Sequence, residues 1–188
     1  MFGSEINQDV CRVNLLSMTA LLEAGLHVHK AIVVAAGSAA EYGHVSEGQL
    51  PVNEQTCYQP VTSNGLSKLF ATQAAMHFHR ICGLRVMVVR PFQLIGKGVS
   101  SRLAPGAFAQ QLKQATSEGN GVIRVGNLES SRDFTDIHDF TEAISSLCQN
   151  PTPGEVFNVC SGKEVKIFDM LEMMIAVSRA NATDQLLS

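Results

Sequence analysis

Pro60-Val-Thr-Ser-Asn-Gly-Leu-Ser-Lys68 opens a helix, and what flanks it decides the fold. The hydroxyl of Thr62 or Ser63 suits an N-cap. Leu69, Ala71, Ala74, Ala75 and Phe78 then give small and apolar surface to about Ile81, where Gly83 closes the helix. Upstream lies Ala31-Ile-Val-Val-Ala-Ala36, an apolar run without charge that ends at Gly37 and Ser38. Downstream lies a second run, Leu84 to Val89, leading to Arg90-Pro91-Phe92. Buried strands alternating with helices predict an α/β architecture with a parallel sheet and right-handed crossovers. Open sheets of this kind hold ligands at their strand C-termini, which points to Ser38 and to the residues after Val89.

Working outward, Asp9 to Ala24 reads as a helix stopped by Gly25, and His44 to Tyr58 as a polar surface loop. Gly96, Gly98 and Pro105-Gly106 punctuate a loop before a helix over Ala107 to Ser117. Gly121 to Val125 reads as a short strand, and Arg132 to Asp139 as the lead into a helix capped by Asp139 and running to Gln149. Val156 to Cys160 reads as a strand and Ile167 to Arg179 as a Met-rich amphipathic helix, with a frayed end after it. About three core strands are few for a free-standing sheet.

The chain of 188 residues is long enough for one sizeable core. A net charge of −3 and the lack of basic clusters argue against nucleic acid or anionic lipid as a partner. No apolar run reaches the ~20 residues that span a bilayer. The five scattered cysteines form no Cys-x-x-Cys, which favours reduced thiols and a cytoplasmic setting.

A serine at a strand end, a helix with Lys68 on it and a strand ending in Arg90-Pro91-Phe92 resemble the extended short-chain dehydrogenase/reductase family. Its members are NAD(P)-dependent nucleotide-sugar epimerases, dehydratases and reductases. Val122 to Glu129, Arg132-Asp-Phe-Thr-Asp136 and Gly154 to Gly162 are similar in wording to the GDP-6-deoxy-4-keto-mannose reductase subfamily. The resemblance runs from about Val10 to Arg179 and matches only the C-terminal portion of a family member. It implies a partial Rossmann-like parallel sheet over residues 1–95 and a small α/β substrate-binding portion over 96–188, in one compact unit. The glycine-rich turn that receives a dinucleotide pyrophosphate, Gly-x-x-Gly-x-x-Gly or Gly-x-Gly-x-x-Gly after a strand, does not occur in the sequence.

The family's proton carrier is a tyrosine four residues before the lysine, whose ammonium lowers the phenol's pKa. Carried over by position, Ser38 is the catalytic hydroxyl, Asn64 stands where that tyrosine belongs, and Lys68 is the lysine beside the cofactor ribose. An amide forms hydrogen bonds but carries no proton near neutral pH. Tyr42 lies in the serine motif, where a tyrosine has a packing role, and is a poor substitute. Pro91 and Phe92 fall at the nicotinamide, and Gln93, Asn127 and Arg132 at the substrate, with Asp136 a weaker candidate. Asn14 reads either as a surface residue or as a backbone-bonding asparagine near the site.

No metal site is expected. His77 and His79 are two apart on a helix and do not share a face, and His27 and His29 have no carboxylates nearby. Met170, Met173 and Met174 read as core or interface filler. Three functions follow. The first is a truncated nucleotide-sugar reductase-like protein with doubtful NAD(P) binding and impaired catalysis. The second is a non-catalytic partner of a full-length relative, or a homodimer through helices 9–24 and 67–81, as the resemblance implies. The third is a cofactor-independent enzyme using Lys68 or His138.

Overall fold

A computed structural model of the chain describes residues 7–118 and 122–186, with side chains to Ser178. The chain divides into two compact units, Met1–Leu94 with Ile137–Cys160, and Ile95–Asp136 with Ser161–Ser188.

The first unit is built on three parallel strands in the order β1 (Ile32–Ala36), β2 (Arg85–Pro91), β5 (Val156–Val159). Val34 stands beside Met87, and Val89 beside Phe157. Val33, Ala35, Val86 and Val88 bury one face of this sheet against Leu22, Ala75 and Leu84. The parallel α/β reading of the sequence is therefore correct, with short strands of buried aliphatic side chains.

The first helix departs from expectation. It starts as α1 (Gln8–Cys11), widens into a π-helical turn over Arg12–Leu16, and resumes as α2 (Ser17–Leu26). The turn places Asn14 against the next helix, where its Nδ2 donates to Ser67 Oγ at 2.8 Å. Gly25 is not the stop: it lies inside α2, where an added Cβ would sit 3.3 Å from Leu84 and 3.4 Å from Val33. That missing side chain lets α2 approach the sheet. Helix α3 (Ser63–Cys82) begins and ends as the sequence predicts. Thr62 Oγ1 accepts from Gly65 N–H at 3.0 Å, and Gly83 adopts φ 69°.

Helix α5 (Ile137–Gln149) returns to this unit and touches β1. Asp139 sits in its first turn and is not its cap. The residues before it form strand β4 (Ser131–Asp136), not a simple lead into the helix.

In the second unit, β4 pairs antiparallel with β6 (Glu164–Lys166), Arg132 opposite Val165. Helices α4 (Ala104–Glu118) and α6 (Ile167–Leu186) pack on each other. Their core holds Phe108, Ile167, Met170 and Leu171. Pro105 and Gly106 lie in the first turn of α4, not in a loop, because proline is tolerated there and Gly106 has the Ser100 carbonyl against it. The strand expected over 121–125 is absent at 122–125, and Gly121 lies outside the described residues. Helix α6 stays helical to Leu186, beyond the expected end at Arg179, and residues 187–188 lie outside the described residues. Met170 is buried and Met173 is exposed. A three-residue strand, β3 (Gln93–Ile95), follows Pro91.

Candidate functional site

The predicted hydroxyl, Ser38, lies just past the end of β1 in extended backbone at φ −166°. Its Oγ accepts from Ala40 N–H at 3.1 Å and its own N–H donates to Glu41 Oε1 at 2.9 Å. This capping box around the 3₁₀ turn Ala39–Glu41 fixes the backbone that carries the hydroxyl.

Glu41 connects that turn to the sheet. Its Oε1 also accepts from Thr72 Oγ1 of α3 at 3.0 Å, and its Oε2 accepts from Arg90 Nε at 2.9 Å. Both charged side chains have no solvent exposure. Arg90 donates further to Tyr42 Oη and Tyr58 Oη, each at 3.0 Å, with its guanidinium carbon 5.2 and 4.7 Å from the two ring centres. Tyr42 Oη donates to Asn158 Oδ1 at 2.7 Å. Asn158 N–H donates to Glu54 Oε1 at 2.7 Å. The segment expected as a surface loop, His44 to Tyr58, is thus tied to the sheet by Glu54 and Tyr58. Burial raises the Tyr42 phenol above its ordinary value, against the opposing pull of Arg90. Burial works against the charge on Arg90, but Glu41 and the two phenols outweigh it and hold the guanidinium more firmly protonated. Sequence reasoning missed Glu41, Thr72 and Glu54. For Glu41 the available signal was a charge inside the apolar stretch after β1, and Thr72 and Glu54 gave none.

Lys68 and Asn64 are one turn apart on the same side of α3. Lys68 Nζ donates to the carbonyl of Ala36 at 3.1 Å, two residues before Ser38. The lysine is therefore anchored at the end of β1, two residues before the serine. Asn64 is exposed at the second position of α3. Gly65 beside it has the Ala40 carbonyl where a Cβ would stand, so the first turn of α3 closes onto the serine turn. Asn14 reaches this helix one residue from Lys68, through Ser67. Pro91, Phe92 and Gln93 are half-buried, and Phe92 N–H donates to Val159 O at 3.0 Å.

The remaining candidates belong to the second unit. Asn127 Oδ1 accepts from Glu129 N–H at 2.9 Å, a local turn. Arg132 is exposed and its Nη1 donates to Ser131 O at 2.6 Å. Asp133, next to it, accepts from Ser161 N–H, Ser161 Oγ and Gly162 N–H at 2.7–2.8 Å, which joins β4 to the turn before β6. Among the described residues no group of three metal-binding side chains occurs.

A dinucleotide needs a helix N-terminus close behind a strand for its pyrophosphate. Among the described residues of the first unit, β1 leads only into the three-residue turn Ala39–Glu41, and β2 leads into β3. The residues present do not fit the pyrophosphate half of a nicotinamide cofactor. No helix among them is long and apolar enough to cross a membrane.

Three comparisons bear on this geometry. Residues 3–160 match the model of the NAD dependent epimerase/dehydratase family. The GDP-6-deoxy-D-mannose reductase of Pseudomonas aeruginosa is 33% identical over 141 residues, 73% of this chain and 46% of that protein. The GDP-6-deoxy-D-talose 4-dehydrogenase of Aggregatibacter actinomycetemcomitans is 26% identical over 88% of this chain and 54% of that protein. The chain therefore spans about half the length of the curated relatives it matches. Among solved structures, RMD from Pseudomonas aeruginosa complexed with NADPH superposes with a TM-score of 0.85 at 29% identity, covering 95% of this chain and 62% of that one. A putative epimerase from Burkholderia cenocepacia superposes at 0.80 with 30% identity, over 95% and 56%. By this match and by the fold of its first unit, the chain belongs to the NAD dependent epimerase/dehydratase family.

Proposed function

We propose that this chain is the sugar-nucleotide side of a GDP-4-keto-6-deoxymannose reductase-like protein, truncated relative to its full-length kin and impaired in redox catalysis. One observation carries the reading. Ser38 and Lys68 converge on the end of β1, while the position one turn before Lys68 holds the exposed amide of Asn64. An amide cannot shuttle the proton that hydride transfer to a sugar carbon requires. By family position Ser38 would hold the sugar oxygen, and Lys68 stands beside it at the end of β1. By family position Gln93, Asn127 and Arg132 would contact the nucleotide-sugar, with Asp136 a weaker candidate.

The test has two arms. Calorimetry with NADPH on the 188-residue chain is expected to show no binding at micromolar strength, and a micromolar dissociation constant sinks the proposal. Asn64→Tyr, assayed with the missing cofactor-binding half supplied, is expected to raise turnover of a GDP-4-keto sugar by about 10²-fold or more over the Asn64 form, the usual yield of a positioned proton donor. Equal rates would mean that Asn64 is not what limits the chemistry.

A second reading, a non-catalytic partner, draws on one feature. Val13, Leu16, Phe70 and Ile81 are 63%, 56%, 45% and 70% exposed on the neighbouring first and third helices. Apolar surface of this kind favours a helix-to-helix dimer.

A further inference from the structure

Ser38 and Lys68 lie at the end of β1. At the start of that strand, about 15 Å back along it, is a cavity of about 230 Å³ built wholly from the first unit. Strands β1 and β2 run parallel with Ile32 beside Arg85, so both begin at this end. The ends of α2 and α3, with the connectors that follow them, form its walls.

The charge around this cavity is all of one sign. His29, Lys30 and Arg85 line it and no carboxylate does. Among the described residues neither Lys30 nor Arg85 has an ion pair. The chain as a whole carries a net charge of −3, so basic side chains without counter-charge run against its balance. Cations are common after a helix C-terminus, where they offset its free carbonyls. Here the backbone already meets those carbonyls. His27 N–H donates to Ala24 O at 3.1 Å and Val28 N–H to Gly25 O at 3.2 Å, while Gly83 N–H and Leu84 N–H both donate to Phe78 O.

Lys30 carries a second, independent anomaly. Its φ of 60° is left-handed, and among the described residues it is the one non-glycine with positive φ. Ala31 N–H closes the turn onto Val28 O at 3.1 Å, which puts Lys30 at the third position, where glycine or asparagine is favoured. A lysine there is held against its backbone preference.

We propose that this cavity binds a small phosphate monoester, its dianionic head held by Lys30 and Arg85 and its short body lying on Leu26 and Val28. The charge set and the size choose that class. A guanidinium and an ammonium together match a phosphate dianion, the first as a planar fork and the second as a point charge. The volume falls below the roughly 300–1,000 Å³ of sites for larger ligands. It is too small for a nucleotide-sugar and sufficient for a phosphate on a few carbons. The site is separate from Ser38 and Lys68 and does not depend on the redox competence of the chain.

The probes are glycerol 3-phosphate, inorganic phosphate and, as neutral control, glycerol, titrated by calorimetry into the 188-residue chain at low salt. Glycerol 3-phosphate is expected to bind with a dissociation constant of about 1 mM or tighter, and glycerol not at all. Inorganic phosphate is expected to bind about threefold more weakly or worse, and equal binding overturns the choice of an ester. Arg85→Gln and Lys30→Asn are each expected to weaken the ester by about tenfold or more. Lys30→Asn also suits the left-handed backbone, so that chain is expected to melt as high as the parent or higher. A lower melt with unchanged binding means that Lys30 serves the end of α2 alone, and overturns the proposal. Cys82 locates the site, since it is exposed and lines the cavity. Iodoacetate, an anion, is expected to favour Cys82 over the exposed Cys148 of α5 more than neutral iodoacetamide does. Glycerol 3-phosphate is expected to slow both reagents at Cys82 and neither at Cys148. No binding, binding indifferent to both variants, or Cys82 labelling unchanged by bound ester overturns the proposal.

Discussion

Glu41 and Arg90 face each other at 2.9 Å with no solvent on either side chain. Two charges taken out of water are tolerated only because every neighbour bonds to them: Ser38, Thr72, Tyr42 and Tyr58 complete the pair. Glu41→Ala leaves a guanidinium buried without its anion and is expected to cost about 3–5 kcal/mol, read as a lower urea midpoint with unchanged slope. Replacing both partners with apolar residues of similar volume is expected to recover most of that loss. Tyr42 gives a pH signature. Its phenol titrates higher in the folded chain than the unfolded value of 10.0. The resulting stability is whole below pH 10 and is lost as pH climbs through the folded value. Tyr42→Phe is expected to melt lower at neutral pH and to show a shallower fall in Tm in the alkaline range. At this scale Ser38, Asn64 and Lys68 were legible because a motif fixes their spacing. The Glu41–Arg90 pair was not, since the two are 49 residues apart and only the register of β1 on β2 brings them together.

Among elements, α3 was the clearest, with an N-cap at Thr62, a left-handed glycine at its end and an unbroken run between. The first helix was read with a false stop, because a glycine that ends a helix and one that admits a neighbouring strand are the same letter. Strand β4 was missed because Arg-Asp-Phe-Thr-Asp is almost wholly polar, and β3 and β6 have three residues each, too few to show a period. Gly65 tests how tightly the serine turn and α3 are joined. Gly65→Ala places a methyl on the Ala40 carbonyl and is expected to cost about 1–3 kcal/mol despite the better helix propensity of alanine. A thermal melt equal to or above the parent would show that the turn yields instead.

Across the whole molecule, the exposed Leu16 and Phe70 set up a measurable expectation. Light scattering at micromolar concentration is expected to give twice the 20.2 kDa chain mass, and Leu16→Glu with Phe70→Glu is expected to return it to one. A monomeric parent removes the helix-face dimer. The parallel α/β class was legible from two apolar runs around one helix. The path of the chain was not, since nothing local in Ile137–Cys160 says which unit it joins.

That path has a consequence for biogenesis. The first unit receives β5 only after Ile95–Asp136 of the second has been made, so a ribosome emits β1 and β2 well before their third companion. Until Val159 emerges, β2 is an aliphatic ribbon open along one side, a natural client for a chaperone that shields nascent hydrophobic strands.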